Sequence, residues 1–270
     1  MFKRIRLIIR YILNNRLKEY EKIICNAIKN DYQVISLRDY VLKNFNPNKK
    51  IFILRHDVDH RSYATKGMFE IEKKYGVKSS FYFRNSTFEP VLMKEIELHG
   101  SESSLHFEPI ADFIKANPNI KTKEDLFKTD FKTKCLKILK FNLETYRLLC
   151  DIPCLTIASH GEKENIMVGL PNNFLTEDIS TYEYLDIKLE AYNKELIDKT
   201  TCYISDVPIE INFGYRYGLT PNQAITNGEK FIIFLSHPNH WHYTKWQLFR
   251  KLVKVIFFGY IEDKTKFKRI

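Results

Sequence analysis

Short apolar runs, each followed by a stretch of helical periodicity, recur through most of this chain. That rhythm constrains its fold more than any other feature. Ile51-Phe52-Ile53-Leu54 is continuously apolar rather than alternating, the pattern of a strand buried on both faces. Ser80-Phe81-Tyr82-Phe83, Ser104 to Phe107, Leu155-Thr156-Ile157-Ala158, Cys202-Tyr203-Ile204 and Phe231 to Leu235 read as further strands. Between them the spacing predicts helices over Ser62 to Tyr75, stopped by Gly76, over Pro90 to Leu98, and over Lys123 to Leu149 as one long element. Residues 16–43 read as largely helical, closed by the polar stretch Asn44 to Lys50. Strands that alternate with helices require crossover connections and therefore form a parallel sheet. About 200 residues of this pattern predict an α/β fold, either a barrel or an open doubly wound sheet.

Composition removes several functional classes. Gly occurs only 9 times in 270 residues and never as G-x-G, so the dinucleotide fingerprint and the Gly-rich phosphate loop are both absent. Five Cys with no C-x-x-C argue against a disulfide framework and against a thiolate zinc site, and Cys150 and Cys154 read as packing residues. The net charge of +10 is concentrated at the ends: +5 in residues 1–22 and +6 in residues 245–270, which leaves the body at −1. A near-neutral body argues against a nucleic-acid partner, whose enzymes carry their positive charge around the cleft.

Both basic ends are amphipathic. Ile5, Ile8, Ile9 and Ile12 recur at helical spacing among Arg4, Arg6 and Arg10. Phe249, Leu252, Val253, Ile256 and Phe257 do so among Arg250, Lys251 and Lys254. Two readings stay open: terminal helices packed on the domain with solvated basic faces, or peripheral contact with an anionic membrane. The apolar stretch Leu7 to Leu13 is broken by Arg10, too short to span a bilayer and too poor for a signal peptide. The expected location is cytoplasmic, with the inner membrane face as the surface the basic ends could meet.

The chemistry is concentrated where the strands end. Arg55-His56-Asp57-Val58-Asp59-His60 follows the first run, His106 and Glu108 follow Ser104-Leu105, and Ser159-His160-Gly161 follows Ala158. Ser205-Asp206 follows Ile204, and Ser236-His237-Pro238 follows Leu235. Six of the eight His (56, 60, 106, 160, 237 and 240) fall in these segments. Parallel α/β folds carry ligands and chemistry at the carboxyl ends of their strands, so five such ends together predict an active site. Asp and His donors without Cys suit Zn²⁺ or another first-row divalent ion such as Co, Ni or Mn. Asp57 and Asp59 sit where the chain is expected to turn, so both carboxylates could face one site. Adjacent carboxylates repel unless one binds a cation, which suggests a metal on one and a free base on the other.

These motifs resemble the polysaccharide deacetylases of carbohydrate esterase family 4. The resemblance rests on Ile53 to His60, on Val77-Lys78-Ser79-Ser80-Phe81-Tyr82-Phe83-Arg84, and on the weaker blocks at Ser104–Glu108, Ser159–Gly161 and Leu235–Trp241. It runs over roughly residues 50–242 and is nearest to the branch with His-Asp-Val-Asp. It implies a distorted (β/α) barrel of about seven strands and metal-dependent removal of an N-acyl group, usually acetyl, from an amino sugar. The expected organisation is one domain: a helical extension over 1–48, the barrel over 49–242 and a basic helix over 243–270.

By the same resemblance Asp57 is the general base, Asp59 and His106 are metal ligands, His237 is the general acid and Asp206 orients it. Two positions depart from the family pattern. Ile110 stands where a second metal His is usual, and the Arg that steadies the base is missing from Ile157-Ala158-Ser159-His160-Gly161. His160 is the expected third ligand, with His60, Glu108 and water as rivals, and Arg55 or Arg84 could take over the lost Arg. The implied substrate is an N-acylated sugar or glycan precursor in surface-polysaccharide synthesis. Phe107, Tyr215, Tyr217 and Trp241 could stack on a sugar ring, although core packing explains most of them. The alternative is a non-catalytic glycan-binding or scaffolding protein that kept the pocket and lost a ligand.

Overall fold

The structure, a computed structural model, describes residues 16–208 and 214–258. The stretch through Ile12 and the residues beyond 258, which carry part of the terminal charge, lie outside the described residues. Strands β1 (Tyr32–Ile35), β2 (Lys50–Val58), β3 (Ser80–Phe83), β4 (Glu102–Phe107), β5 (Thr156–Ser159), β6 (Leu189–Glu190), β7 (Cys202–Ser205) and β8 (Phe231–Ser236) alternate with helices. The fold is α/β, as the sequence rhythm requires. The chain divides into two compact units, residues 1–79 with 198–270, and residues 80–197.

In the first unit the strands pair in parallel in the order β1, β2, β8, β7. β2 and β8 run level: Ile51 lies opposite Phe231 and His56 opposite Ser236. Asp57 and His237 are therefore the next residues on two neighbouring strands. Ile51 to Leu54 are buried, as a doubly covered strand demands. Tyr20, Ile23 and Ile24 of helix Arg16–Lys29 pack with Ala64 and Met68 of helix Tyr63–Tyr75 and with Phe52, Leu54, Ile232 and Phe234 of the sheet. Each such large apolar side chain contributes about 1.5–3 kcal/mol on burial.

In the second unit β3, β4, β5 and β6 pair in parallel in sequence order. Their register sets His106 opposite Ala158 and Phe107 opposite Ser159. Helix Pro109–Ala116 starts directly after β4 with Pro at its first position, where a missing N–H costs nothing. Helix Phe131–Cys150 buries Cys135, Leu139, Leu143 and Tyr146 along one face.

The structure corrects several expected elements. Residues 16–43 are not continuously helical. The first helix stops at Lys29, Asp31 takes φ +63°, and Tyr32–Ile35 forms β1 beside β2. Ser36 then restarts a helix through a capping box with Asp39. The long helix expected over Lys123 to Leu149 is two helices, Lys123–Phe127 and Phe131–Cys150. The Thr129 hydroxyl donates to the Leu126 carbonyl at 2.7 Å and so supplies a partner that helix continuation would have provided. β2 extends through Val58, so Asp57 belongs to the strand rather than to a turn.

Candidate active site

In the first unit, β2 supplies two different faces. Arg55 and Asp57 are two residues apart in a strand and so share one face. Both are essentially fully buried. Arg55 Nε donates to Asp57 Oδ1 at 2.8 Å and its terminal nitrogen to Oδ2 at 2.7 Å, a bidentate fork. The arginine partner of Asp57 is thus Arg55. His56 points the other way. Its Nδ1 lies 2.7 Å from Ser236 Oγ and its Nε2 2.7 Å from Glu72 Oε1. Glu72 also accepts from the Tyr20 hydroxyl and from Ser79 Oγ at 2.5 Å. This buried network ties β2 to β8 and to the two flanking helices.

Asp206, just after β7, gathers the second group. Its Oδ1 is 2.6 Å from His237 Nδ1, and the His237 backbone N–H donates to the same carboxylate at 3.0 Å. The Trp241 indole N–H donates to Oδ2 at 2.6 Å, and His240 Nδ1 lies 3.3 Å from Oδ1. Burial alone would raise the Asp206 pKa. The charges of His240 and His237 and their hydrogen bonds prevail, holding it below the ordinary carboxylate range. Burial would lower the His237 pKa, but the Asp206 charge and hydrogen bond, then the fields of Asp59 and Asp57, raise it to about 9. With Nδ1 committed to Asp206, His237 Nε2 is the ring nitrogen left to face Asp59, 3.8 Å from its Oδ2.

Behind this group Arg16 donates to the His240 carbonyl at 2.9 Å and lies 4.3 Å from the centre of the Trp241 ring. Trp241, Phe107 and Tyr215 are buried and belong to the packing; Tyr217, at 38% exposure, is the one of the four aromatics on the surface. His60 is exposed.

The second unit carries His106 at the end of β4 and His160 just after β5. His106 Nδ1 is 3.0 Å from the Ala158 carbonyl. A carbonyl only accepts, so Nδ1 carries the proton and Nε2 presents a lone pair. His160 Nδ1 lies 3.1 Å from that Nε2. Arg84 lies in the same unit. It forks onto Glu108 at 2.8 and 2.6 Å and reaches Glu162 at 2.6 Å. Ile110, where the family pattern expects a His, is fully buried among apolar neighbours.

The six residues singled out from the sequence are thus distributed as Asp57, Asp59, Asp206 and His237 in the first unit, and His106 and His160 in the second. Sequence reasoning missed the Trp241 hydrogen bond and the place of His240 beside Asp206. Neither has a signal in the sequence.

The donor chemistry of the second unit fits a divalent metal ion. Two imidazole nitrogens bound to one tetrahedral zinc at about 2.0–2.1 Å lie about 3.3 Å apart, close to the 3.1 Å between His106 Nε2 and His160 Nδ1. Two other clusters satisfy the same proximity but are occupied otherwise. Asp206, His237 and His240 bring ligand atoms within 4.8 Å of one another. Both Asp206 oxygens there already accept hydrogen bonds from His237 and Trp241. Glu108, His160 and Glu162 do the same, but the Arg84 guanidinium already pairs with both carboxylates.

Parallel strands alternating with helices in both units make this an α/β protein. No protein-family model and no curated protein matches the chain. Solved structures do. The chain is similar to the Xyl-CE4 domain of a multidomain xylanase from the hindgut metagenome of Trinervitermes trinervoides, at 13% identity and TM-score 0.37, covering 80% of this chain and 87% of that one. It is similar to the catalytic domain of peptidoglycan N-acetylglucosamine deacetylase from Eubacterium rectale, at 13% identity and TM-score 0.41, covering 81% and 89%. A CE4 family pseudoenzyme from Bacillus anthracis matches at 14% identity and TM-score 0.41, covering 80% of this chain and 64% of that one.

Proposed function

We propose that this protein is a metal-dependent deacetylase that removes an N-acyl group from an amino sugar of a surface-polysaccharide precursor. The observation that carries the reading is the orientation of His237, whose Nδ1 is held by Asp206 at 2.6 Å while Nε2 faces Asp59. In this reading His106 and His160 hold the metal, and Asp59 is the further ligand that the family resemblance implies. When bound, a zinc-like ion supplies a Lewis acid and an acidified water. Asp57 accepts the proton of the attacking water, and Arg55 holds that carboxylate in place through its fork. His237 delivers a proton to the departing sugar amine, and Asp206 both orients its ring and stabilises its cationic form. Each turnover consumes one water and yields a carboxylate and the sugar ammonium, with no other reactant.

The second reading, a glycan-binding member without turnover, draws on one observation: Ile110 offers no ligand atom and is sealed in the core. A single experiment separates the two. The protein is loaded with Zn²⁺ and assayed for acetate release from N-acetylated glucosamine oligomers, alongside Asp57→Asn. Turnover in the wild type, reduced about 10²–10⁴-fold in the variant, supports the deacetylase. Tight metal and glycan binding with no acetate release leaves the binding protein.

The substrate is presented at a membrane surface in this reading. Helix Lys245–Phe258 contains no acidic residue and exposes Trp246, Phe249, Ile256 and Phe257. Lys245, Arg250 and Lys254 flank that stripe and are exposed as well. Apolar and basic side chains arranged this way suit an anionic lipid surface and a lipid-linked glycan. No described helix is long and apolar enough to cross a membrane.

A further inference from the structure

We infer that Glu162, held in place by Arg84, is a positioning residue that selects Nδ1 of His160 as the atom facing the metal. The inference rests on the metal-dependent reading above and deepens it. A histidine that ligates through one ring nitrogen almost always donates from the other, and that second contact fixes which nitrogen is free. His106 has this arrangement through the Ala158 carbonyl. For His160 the matching partner is Glu162, whose Oε1 lies 3.3 Å from Nε2.

His160 has two tautomers with opposite consequences. A proton on Nδ1 would be directed at His106 Nε2, 3.1 Å away, and would block a metal from both imidazoles. A proton on Nε2 is directed at Glu162 and leaves Nδ1 and His106 Nε2 as two converging lone pairs. The carboxylate favours the second. Glu162 does not swing freely. Arg84 donates to Glu162 Oε1 at 2.6 Å while the same guanidinium forks onto Glu108, and Lys115 lies 3.9 Å from Glu162. The Glu162 backbone is pinned as well: its N–H donates to Asn165 Oδ1 at 3.1 Å and its carbonyl accepts from the Asn165 N–H at 3.1 Å. The start of helix Lys163–Val168 therefore places the residue, Arg84 sets its carboxylate, and the carboxylate sets the imidazole. The site then uses Nε2 from one histidine and Nδ1 from the other.

The test measures Zn²⁺ affinity by chelator competition in wild type, Glu162→Ala and Glu162→Gln. It adds nitrogen-15 NMR of the imidazole rings with and without Zn²⁺. Glu162→Ala should weaken Zn²⁺ binding about 10–100-fold. Glu162→Gln, isosteric and still able to accept from Nε2, should recover part of that loss. The spectra should assign Nδ1 of His160 as the ligating atom in wild type and a mixture of tautomers in metal-free Glu162→Ala. Thermal melting of the metal-free proteins checks that the variants fold, and the Gln variant carries the test if the Ala variant does not. Equal affinity in all three, or ligation through His160 Nε2, overturns this inference alone. A wild type that binds no Zn²⁺ overturns the metal-dependent reading and this inference with it.

Discussion

Arg55 and Asp57 form a deeply buried ion pair, and its two halves are not independent. Truncating the arginine leaves a carboxylate in the interior without its fork, and breaking a buried pair costs about 3–5 kcal/mol. Arg55→Ala should lower unfolding stability in urea by that order. Arg55→Lys, which keeps the charge but loses the fork, should lose less. Equal losses would mean that charge and geometry contribute nothing beyond packing. The thiols give a second residue-scale prediction. Burial pushes Cys135 and Cys154 up to about 12, and Cys150 and Cys202 to about 11, against about 8.5 in an unfolded chain. A raised folded value stabilises fully below the unfolded value and is lost as pH climbs through the folded one. The denaturation midpoint should therefore fall from about pH 8.5 upward. Cys154→Ala should show a shallower decline, and an unchanged slope would remove that thiol from the account.

At the scale of elements, the turns that end helices are where local sequence and tertiary structure agree. Gly76 closes helix Tyr63–Tyr75 with φ +63°, and its N–H reaches the Glu72 and Lys73 carbonyls. A Cβ there would meet no neighbouring atom, so Gly76→Ala tests backbone conformation alone. It should destabilise by about 1–2 kcal/mol, read from thermal melts, with Zn²⁺ affinity unchanged. Signals of this kind were legible in advance: Gly76, the continuous run Ile51–Leu54 and Pro90 each mark an element that the structure contains. Others were not. Tyr32–Ile35 is only four residues long and gains its pairing from Lys50–Ile53, which no local pattern announces. The break at Lys128–Asp130 has neither Gly nor Pro, and depends on a Thr129 side chain that also fits a helix. The site divides the same way. Arg55 was one of two arginines the sequence left open for Asp57, and only the extension of β2 through Val58 puts both on one face; the contact between His106 and His160 spans 54 positions and exists only through sheet register.

For the whole molecule, the distribution of charge should govern location. The C-terminal helix stacks Trp246 on Phe249 with ring centres 5.7 Å apart, both exposed. Basic residues near an anionic surface contribute about 1 kcal/mol each. The protein should co-sediment with vesicles rich in phosphatidylserine and not with neutral ones, and Trp246 fluorescence should shift to the blue. Binding should fade toward 1 M salt, where the Debye length falls to about 3 Å. Trp246→Ala with Phe249→Ala should weaken it while leaving Zn²⁺ affinity as in wild type. Equal, negligible pelleting with both lipids at low salt would leave this helix as packing and make a soluble sugar derivative the better substrate.

The two couples in the first unit also differ in how far apart their partners are along the chain. Arg55 and Asp57 are separated by two positions, Asp206 and His237 by 31. The first pair needs only an extended strand, whereas the second must wait for a loop to close and for β7 to find β8. The Arg55–Asp57 couple should therefore form early in folding, before the sheet around it seals. The Asp206–His237 couple should form later, so a molecule caught midway would hold the first without the second. In the deacetylase proposed above, turnover recovered after dilution from denaturant should then lag behind the return of helical signal.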